Sequence, residues 1–141
     1  QAASSWCAGR RAATPPGWRN RGPYRGFLLS TANGFARELR QVIAHLEAGE
    51  TAEAITLSGR LDEAVSAAFT AVARVPHGNA FANANKAIDH YMAHGPEALE
   101  APVPLLHGGV RLPADVVREV GTILDSTGFL PTTGYLSRCS G

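Results

Sequence analysis

A short apolar run followed by an amphipathic helix is the feature that most constrains this chain. Residues 27–29 (Phe-Leu-Leu), bounded by Gly26 and Ser30, are typical of a buried strand. No other segment of the sequence predicts a strand. Because the backbone groups of a buried strand must be hydrogen-bonded, a single strand indicates that the rest of its sheet comes from elsewhere.

The rest of the regular sequence predicts helices. Apolar residues recur at helical spacing, and the four predicted helices cover about residues 36–48, 51–74, 83–94 and 113–127. The stop signals that follow them are Gly49, Pro76, Gly95 and Gly128. Thr51 is predicted to cap the second helix, and Pro113 suits the first turn of the last one. The expected fold class is mostly α with one residual strand.

Charge is divided unevenly along the chain. Residues 1–25 carry five arginines and no acidic residue, whereas the remaining residues carry eight basic and twelve acidic side chains. The main body therefore predicts no nucleic-acid partner. No apolar run approaches the roughly 20 residues of a membrane span, so no membrane partner is predicted either.

The cysteines and the N-terminus bear on localisation. Cys7 and Cys139 lie near opposite ends of the chain and do not form a disulfide framework, so we predict free thiols and a cytoplasmic protein. The N-terminus has no apolar h-region of a secretory signal. Because the chain begins at Gln1 rather than Met, we expect a processed protein or a piece of a longer one.

The basic segment, residues 1–25, shows neither helical nor strand periodicity, and Pro15-Pro16-Gly17 would break a helix. Its aromatic residues among arginines are compatible with single-stranded nucleic acid. We favour instead an irregular, non-native tail. The segment is rich in Arg, Pro, Gly and Trp and has no acidic residue, a composition that a GC-rich gene gives when it is translated out of frame. Our hypothesis is therefore that residues 1–25 are a frameshifted or otherwise degraded segment.

Five motifs occur in a specific order. Gly-Phe-Leu-Leu-Ser-Thr-Ala-Asn spans residues 26–33, and the helix after it closes in Ala48-Gly49. Asn-Ala-Phe-Ala-Asn-Ala-Asn-Lys spans 79–86, and residues 111–113 and 128–130 read Arg-Leu-Pro and Gly-Phe-Leu. Over residues 26–130 this order resembles the C-terminal part of the dihydrodipicolinate synthase / N-acetylneuraminate lyase superfamily. The 79–86 match is partial, since the family has N-P-x-P-x-K there.

The resemblance implies a domain organisation. Residues 26–50 would be the last strand and following helix of a (β/α)8 TIM barrel, and residues 51–141 the C-terminal helical domain of the family. Most of the barrel would precede Gln1. The segment 1–25 would then stand where the family has the end of its barrel.

The resemblance also implies a chemistry. Members of the family form a Schiff base between a barrel lysine and a keto acid such as pyruvate. Lys86, the single lysine of this chain, falls on the C-terminal element instead, with polar neighbours unlike the buried setting that activates an amine. We therefore expect no catalytic residue, no cofactor and an inactive chain. The resemblance implies two substrate-adjacent positions, Leu28 and Gly9. The alternative interpretation of Leu28 is a plain core residue.

His90 and His94 lie one helical turn apart, a spacing that can bind zinc. Tyr91 stands where H-E-x-x-H has glutamate, and the candidate third ligands, Asp89 and His107, are near only in sequence. A solvated or capping histidine pair is the preferred interpretation, and no metal site is predicted.

A second function class stays open. The regular helices and missing catalytic residues also suit a non-enzymatic helical module that acts through a protein partner. In either case the helix faces that would cover a barrel favour self-association or a partner chain, because large exposed apolar surfaces promote association.

Overall fold

The computed structural model describes residues 31–136, and within them the chain is mostly helical. The predicted strand at 27–29, the segment 1–25 and both cysteines lie outside the described residues. The α-helices are α1 (Ala32–Ala48), α2 (Thr51–Val72), α3 (Ala80–His94) and α4 (Ala114–Ser126), with a 3-10 turn at Gly95–Leu99. The predicted helical body is therefore confirmed, whereas the residual strand and its barrel origin stay predictions.

The described residues belong to two compact units whose boundary falls inside α2, between Glu63 and Ala64. The first unit contains α1 and the start of α2. The backbone at Phe35 leaves helical geometry (φ −123°, ψ 29°), so the regular part of α1 begins near the predicted residue 36. The buried apolar side chains of this unit are Phe35, Val42, Ala54 and Leu61.

The joint between α1 and α2 is short. Gly49 adopts a left-handed conformation (φ 79°) and its N–H donates to the carbonyls of His45 and Leu46, which satisfies the end of α1 as predicted. Thr51 is the first residue of α2 and not its cap, which corrects the sequence prediction. The His45 Nδ1 atom lies 2.6 Å from a carboxylate oxygen of Glu50 across the joint.

The second unit is built around α3, with the end of α2, the 3-10 turn and α4. The predicted apolar stripe of α4 is buried at Val116, Val117, Val120 and Leu124. The stripe of α3 is buried at Ala84, Ala87, Ile88 and Tyr91. Interior side chains removed from water are the main source of stability for such a unit, and both helices place them at the spacing that the sequence shows.

The connection from the 3-10 turn to α4 is a folded loop. Leu105 and Arg111 form an isolated antiparallel bridge, and the Leu106 N–H donates to the Val110 carbonyl. Gly108 and Gly109 both have positive φ (98° and 84°), a conformation that favours glycine. No helix in residues 31–136 has both the length and the apolar character needed to cross a membrane.

Candidate functional site

Several polar side chains of the second unit lie on α3 or next to it. The helix begins one residue after Asn79, whose side-chain oxygen accepts a hydrogen bond from the Ala82 N–H at 2.7 Å. The buried Asn83 donates its side-chain N–H to the His77 carbonyl at 2.8 Å. The sequence prediction began this helix at Asn83 and missed the cap. An asparagine three residues before Ala82 is the signal that could have located it.

Lys86 is exposed on α3, and its Nζ donates to the carbonyl of Leu105. At the C-terminal end of the loop that contains Leu105, Arg111 Nη1 donates to the Val103 carbonyl at 2.9 Å. Two cationic side chains thus hold the 103–111 loop by its backbone oxygens. A Schiff-base lysine needs its amine free to attack a carbonyl carbon, and this arrangement uses the amine of Lys86 as a hydrogen-bond donor.

The sequence suggested a solvated or capping histidine pair, and His90 is not a solvated side chain. Its side chain is buried, with 6% of the residue exposed, and its Nε2 lies 2.7 Å from the Ala98 carbonyl in the 3-10 turn. Burial lowers the pKa of His90 below its ordinary 6.5, since desolvation disfavours the charged ring. The solvated interpretation was therefore wrong for His90, which lies on the buried side of α3.

His94 is half-buried in the last turn of α3, and its ring centroid lies 4.8 Å from that of His90. Asp89 faces another partner, because the Tyr135 hydroxyl donates to both of its carboxylate oxygens at 3.3 Å. His107 lies on the exposed loop. Across residues 31–136 no group of three His, Cys, Asp or Glu side chains is placed to hold a metal ion.

Tyr91 joins α3 to α4. Its hydroxyl donates to the Val117 carbonyl at 3.0 Å, and its ring tip lies directly over Gly121, where a Cβ atom would overlap the hydroxyl. Burial raises the pKa of the Tyr91 hydroxyl, so the group is a neutral donor at pH 7. The sequence placed Tyr91 on the apolar stripe and gave no signal for the pairing with Gly121.

The segment 131–136 lies across the C-terminal end of α3. The Tyr135 and Leu136 N–H groups donate to the carbonyls of Met92 and Ala93 at 2.9 and 3.0 Å. Gly95 and Gly134 touch backbone to backbone, and a Cβ on Gly95 would lie 2.6 Å from the Gly134 nitrogen. The last turn of α3 therefore has carbonyls that are satisfied by a distant segment of the chain.

An exposed charge cluster links the end of α2 to α4. Arg74 lies 3.2 Å from Asp115 and 2.7 Å from Glu119. The hydrogen bond from Arg74 lowers the pKa of Asp115. Because all three side chains are largely exposed, the cluster is screened by solvent and adds little stability.

Some of the candidate site residues lie outside the described residues, and the others lie on or near α3. Leu28 and Gly9, the predicted substrate-adjacent positions, lie outside the described residues. The polar side chains of α3 mostly contact backbone carbonyls, a pattern that positions loops and does not assemble a nucleophile with a base. Comparisons with protein-family models, curated proteins and solved structures found no match to this chain.

Proposed function

We propose that this chain is the C-terminal portion of a Schiff-base-forming class I aldolase/lyase of the dihydrodipicolinate synthase / N-acetylneuraminate lyase superfamily. The parent enzyme would act on a keto acid such as pyruvate. The order of the five motifs over residues 26–130 carries the proposal. The chain by itself would be inactive, because the barrel lysine that forms the Schiff base lies outside it.

The joint after α1 supports the proposal. The family closes the helix after its last strand in Ala-Gly before a long helix. Here α1 ends at Ala48, Gly49 is left-handed, and α2 then runs for 22 residues. Glycine is the residue that enters this conformation without a Cβ penalty, so the Ala-Gly pair has a physical reason to be where it is.

The approach to the last helix also supports it. In Arg111-Leu112-Pro113, the Leu112 side chain is 1% exposed and Pro113 directly precedes the first residue of α4. After α4, Gly128 has φ 72° and the Phe129 N–H donates to the Leu124 carbonyl at 2.7 Å. The Arg-Leu-Pro entry and the Gly-Phe-Leu exit thus enclose one helix, as the resemblance implies.

The first test reads the coding sequence upstream of Gln1 in all three frames. The proposal expects the preceding strand–helix units of a barrel, with a lysine on about the sixth strand. If no frame supplies them, the aldolase assignment fails and distant ancestry is all that the motifs support.

The chemical test uses the restored full-length protein. Incubation with pyruvate and borohydride should give one reduced adduct, located by peptide mass analysis on the barrel lysine. Replacing that lysine by arginine should abolish the adduct, whereas the matched Lys86→Arg variant should retain it. An adduct on Lys86 would refute the roles assigned here.

A second candidate function is a helical module that binds a protein partner. Large apolar side chains are exposed on both described units: Ile55 on the first, and Phe81, Leu99, Leu105, Val110, Tyr135 and Leu136 on the second. We propose that these exposed side chains bind a different partner chain in the module, and that they mediate self-association in the enzyme fragment. Sedimentation of the 141-residue chain separates the candidates, because a compact, well-folded monomer favours the module and association or instability favours the enzyme fragment.

A further inference from the structure

The end of α3 and the turn after it are joined by one buried side chain. His90 lies in α3, and its Nε2 contacts the Ala98 carbonyl 2.7 Å away in the Gly95–Leu99 turn. Ala98 itself is 1% exposed. The side chain therefore closes the turn from inside, where water does not compete for the carbonyl.

The acceptor fixes the tautomer of the neutral ring. A carbonyl oxygen only accepts, so Nε2 must carry a hydrogen, and the neutral ring has its lone pair on Nδ1. A second proton would therefore go to Nδ1 and would place a full positive charge in the buried site. Such a charge costs free energy unless an anion compensates it.

The charged groups around His90 give incomplete compensation. His94, whose ring lies 4.8 Å away, repels a charge on His90, and Asp89 on the same helix attracts it. The Asp89 carboxylate is also bound by the Tyr135 hydroxyl. The Ala98 carbonyl keeps its hydrogen bond from Nε2 in the charged ring and so favours protonation, but burial outweighs this effect. The acid of the turn, Glu97, is exposed, and the Tyr91 ring packs edge-on at 6.0 Å.

We propose that His90 is a proton-operated latch: the neutral ring holds the Gly95–Leu99 turn against α3, and protonation in mildly acidic solution releases the turn. The released turn would loosen the loop that follows it, which also contacts α3 through the hydrogen bond from Lys86 to the Leu105 carbonyl. This inference does not depend on the proposed aldolase ancestry.

The direction of the pH effect follows from linkage. The pKa of His90 is lowered in the closed state, so the opened turn binds the proton more readily. The latch is therefore fully closed above pH 6.5, the ordinary pKa of histidine. It weakens as the pH falls from there toward the lowered pKa of the closed state.

Amide exchange of the turn measures the latch in the full 141-residue chain. The Glu100 and Ala101 N–H groups both donate to the Glu97 carbonyl, so their protection factors report whether the turn is closed. Between pH 7.5 and pH 5.0 we expect these factors to fall. The fall is at most about tenfold per pH unit below 6.5, or about 30-fold in total.

His90→Gln is the matched variant, because its side-chain amide supplies an N–H donor that does not titrate. If His90 is the latch, the pH-dependent fall in the protection factors of Glu100 and Ala101 should disappear in His90→Gln. This holds whatever level of protection the variant has at pH 7.5. In His94→Gln it should persist but shrink, since one repelling charge is removed. An unchanged fall in His90→Gln would overturn the proposal.

A second readout covers the case in which His90→Gln loses all protection. The ring resonances of the unmodified chain give the pKa of His90 directly by nuclear magnetic resonance titration. A pKa clearly below that of an ordinary histidine, with the resonances of Glu100 and Ala101 shifting at the same midpoint, supports the latch. A pKa at or above 6.5 overturns it.

Discussion

Replacing Gly121 by alanine tests the packing of α3 on α4. Gly121 lies inside α4, where alanine is ordinarily the better helix former by about 1 kcal/mol. Its Cα is covered by Tyr91, however, and an added Cβ would overlap the hydroxyl and approach ring atom Cε1 to 2.8 Å. The methyl group fits only if the tyrosine moves.

Three effects determine how much Gly121→Ala changes the free energy of unfolding: two lower it and one raises it. Forcing a methyl group into a filled interior costs about 1–3 kcal/mol. Displacing Tyr91 also weakens its hydrogen bond to the Val117 carbonyl, a loss of about 1 kcal/mol. Subtracting the propensity gain of about 1 kcal/mol, we expect Gly121→Ala to lower the free energy of unfolding by about 1–3 kcal/mol.

The chain supplies its own control. Gly59 lies inside α2 and is exposed, and a Cβ there would meet no heavy atom of the described residues within 4 Å. Gly59→Ala should therefore raise the free energy of unfolding by about 1 kcal/mol. Urea unfolding followed by circular dichroism measures both variants under the same conditions.

The two glycine variants should thus change stability in opposite directions. Adding Tyr91→Leu removes the ring tip, so Gly121→Ala should cost much less in that background, and the double-mutant cycle isolates the contact. If Gly121→Ala stabilises the chain as Gly59→Ala does, Tyr91 does not cover Gly121 and the reasoning is wrong.

Three further predictions concern Asn79, Gly134 and Lys86. Asn79→Ala should lower stability by about 1 kcal/mol through loss of the cap on the Ala82 N–H, while Asn79→Asp, which keeps an acceptor, should lose less in the same urea assay. Gly134→Ala should place its methyl group in the Ala93 carbonyl, so the Tyr135 amide should lose most of its exchange protection; protection equal to that of the unmodified chain would contradict this packing. The chain alone, treated with pyruvate and borohydride, should give no adduct on Lys86, and peptide mass analysis with an intact Schiff-base aldolase as the positive control checks this.

Helix positions were largely predictable from sequence because local signals determine them. Gly49 ends α1, Gly95 follows α3 and Gly128 follows α4, each with a positive φ. These positions were expected because glycine avoids the Cβ penalty in that conformation. The start of α3 was missed because the apolar stripe begins later than the helix, and the Asn79 cap lies outside that stripe.

The environment of particular side chains could not be predicted in the same way. His90 and His94 look equivalent in the sequence, yet one is buried against the Ala98 carbonyl and the other is half-exposed. Lys86 looked like an ordinary surface residue, and its contact with the loop carbonyl joins positions 19 residues apart. Such contacts depend on how a loop packs against the helix, and the spacing of apolar residues along the helix does not predict that packing.

The sequence by itself determined the helical character of residues 31–136 and the faces of α3 and α4 that are buried. Both follow from spacing along one helix, which is a local property. Only the tertiary structure decided that Tyr91 needs a glycine at position 121, that Gly95 and Gly134 touch, and that His90 closes a turn. Each of these depends on which distant atoms fill the same volume in a close-packed interior.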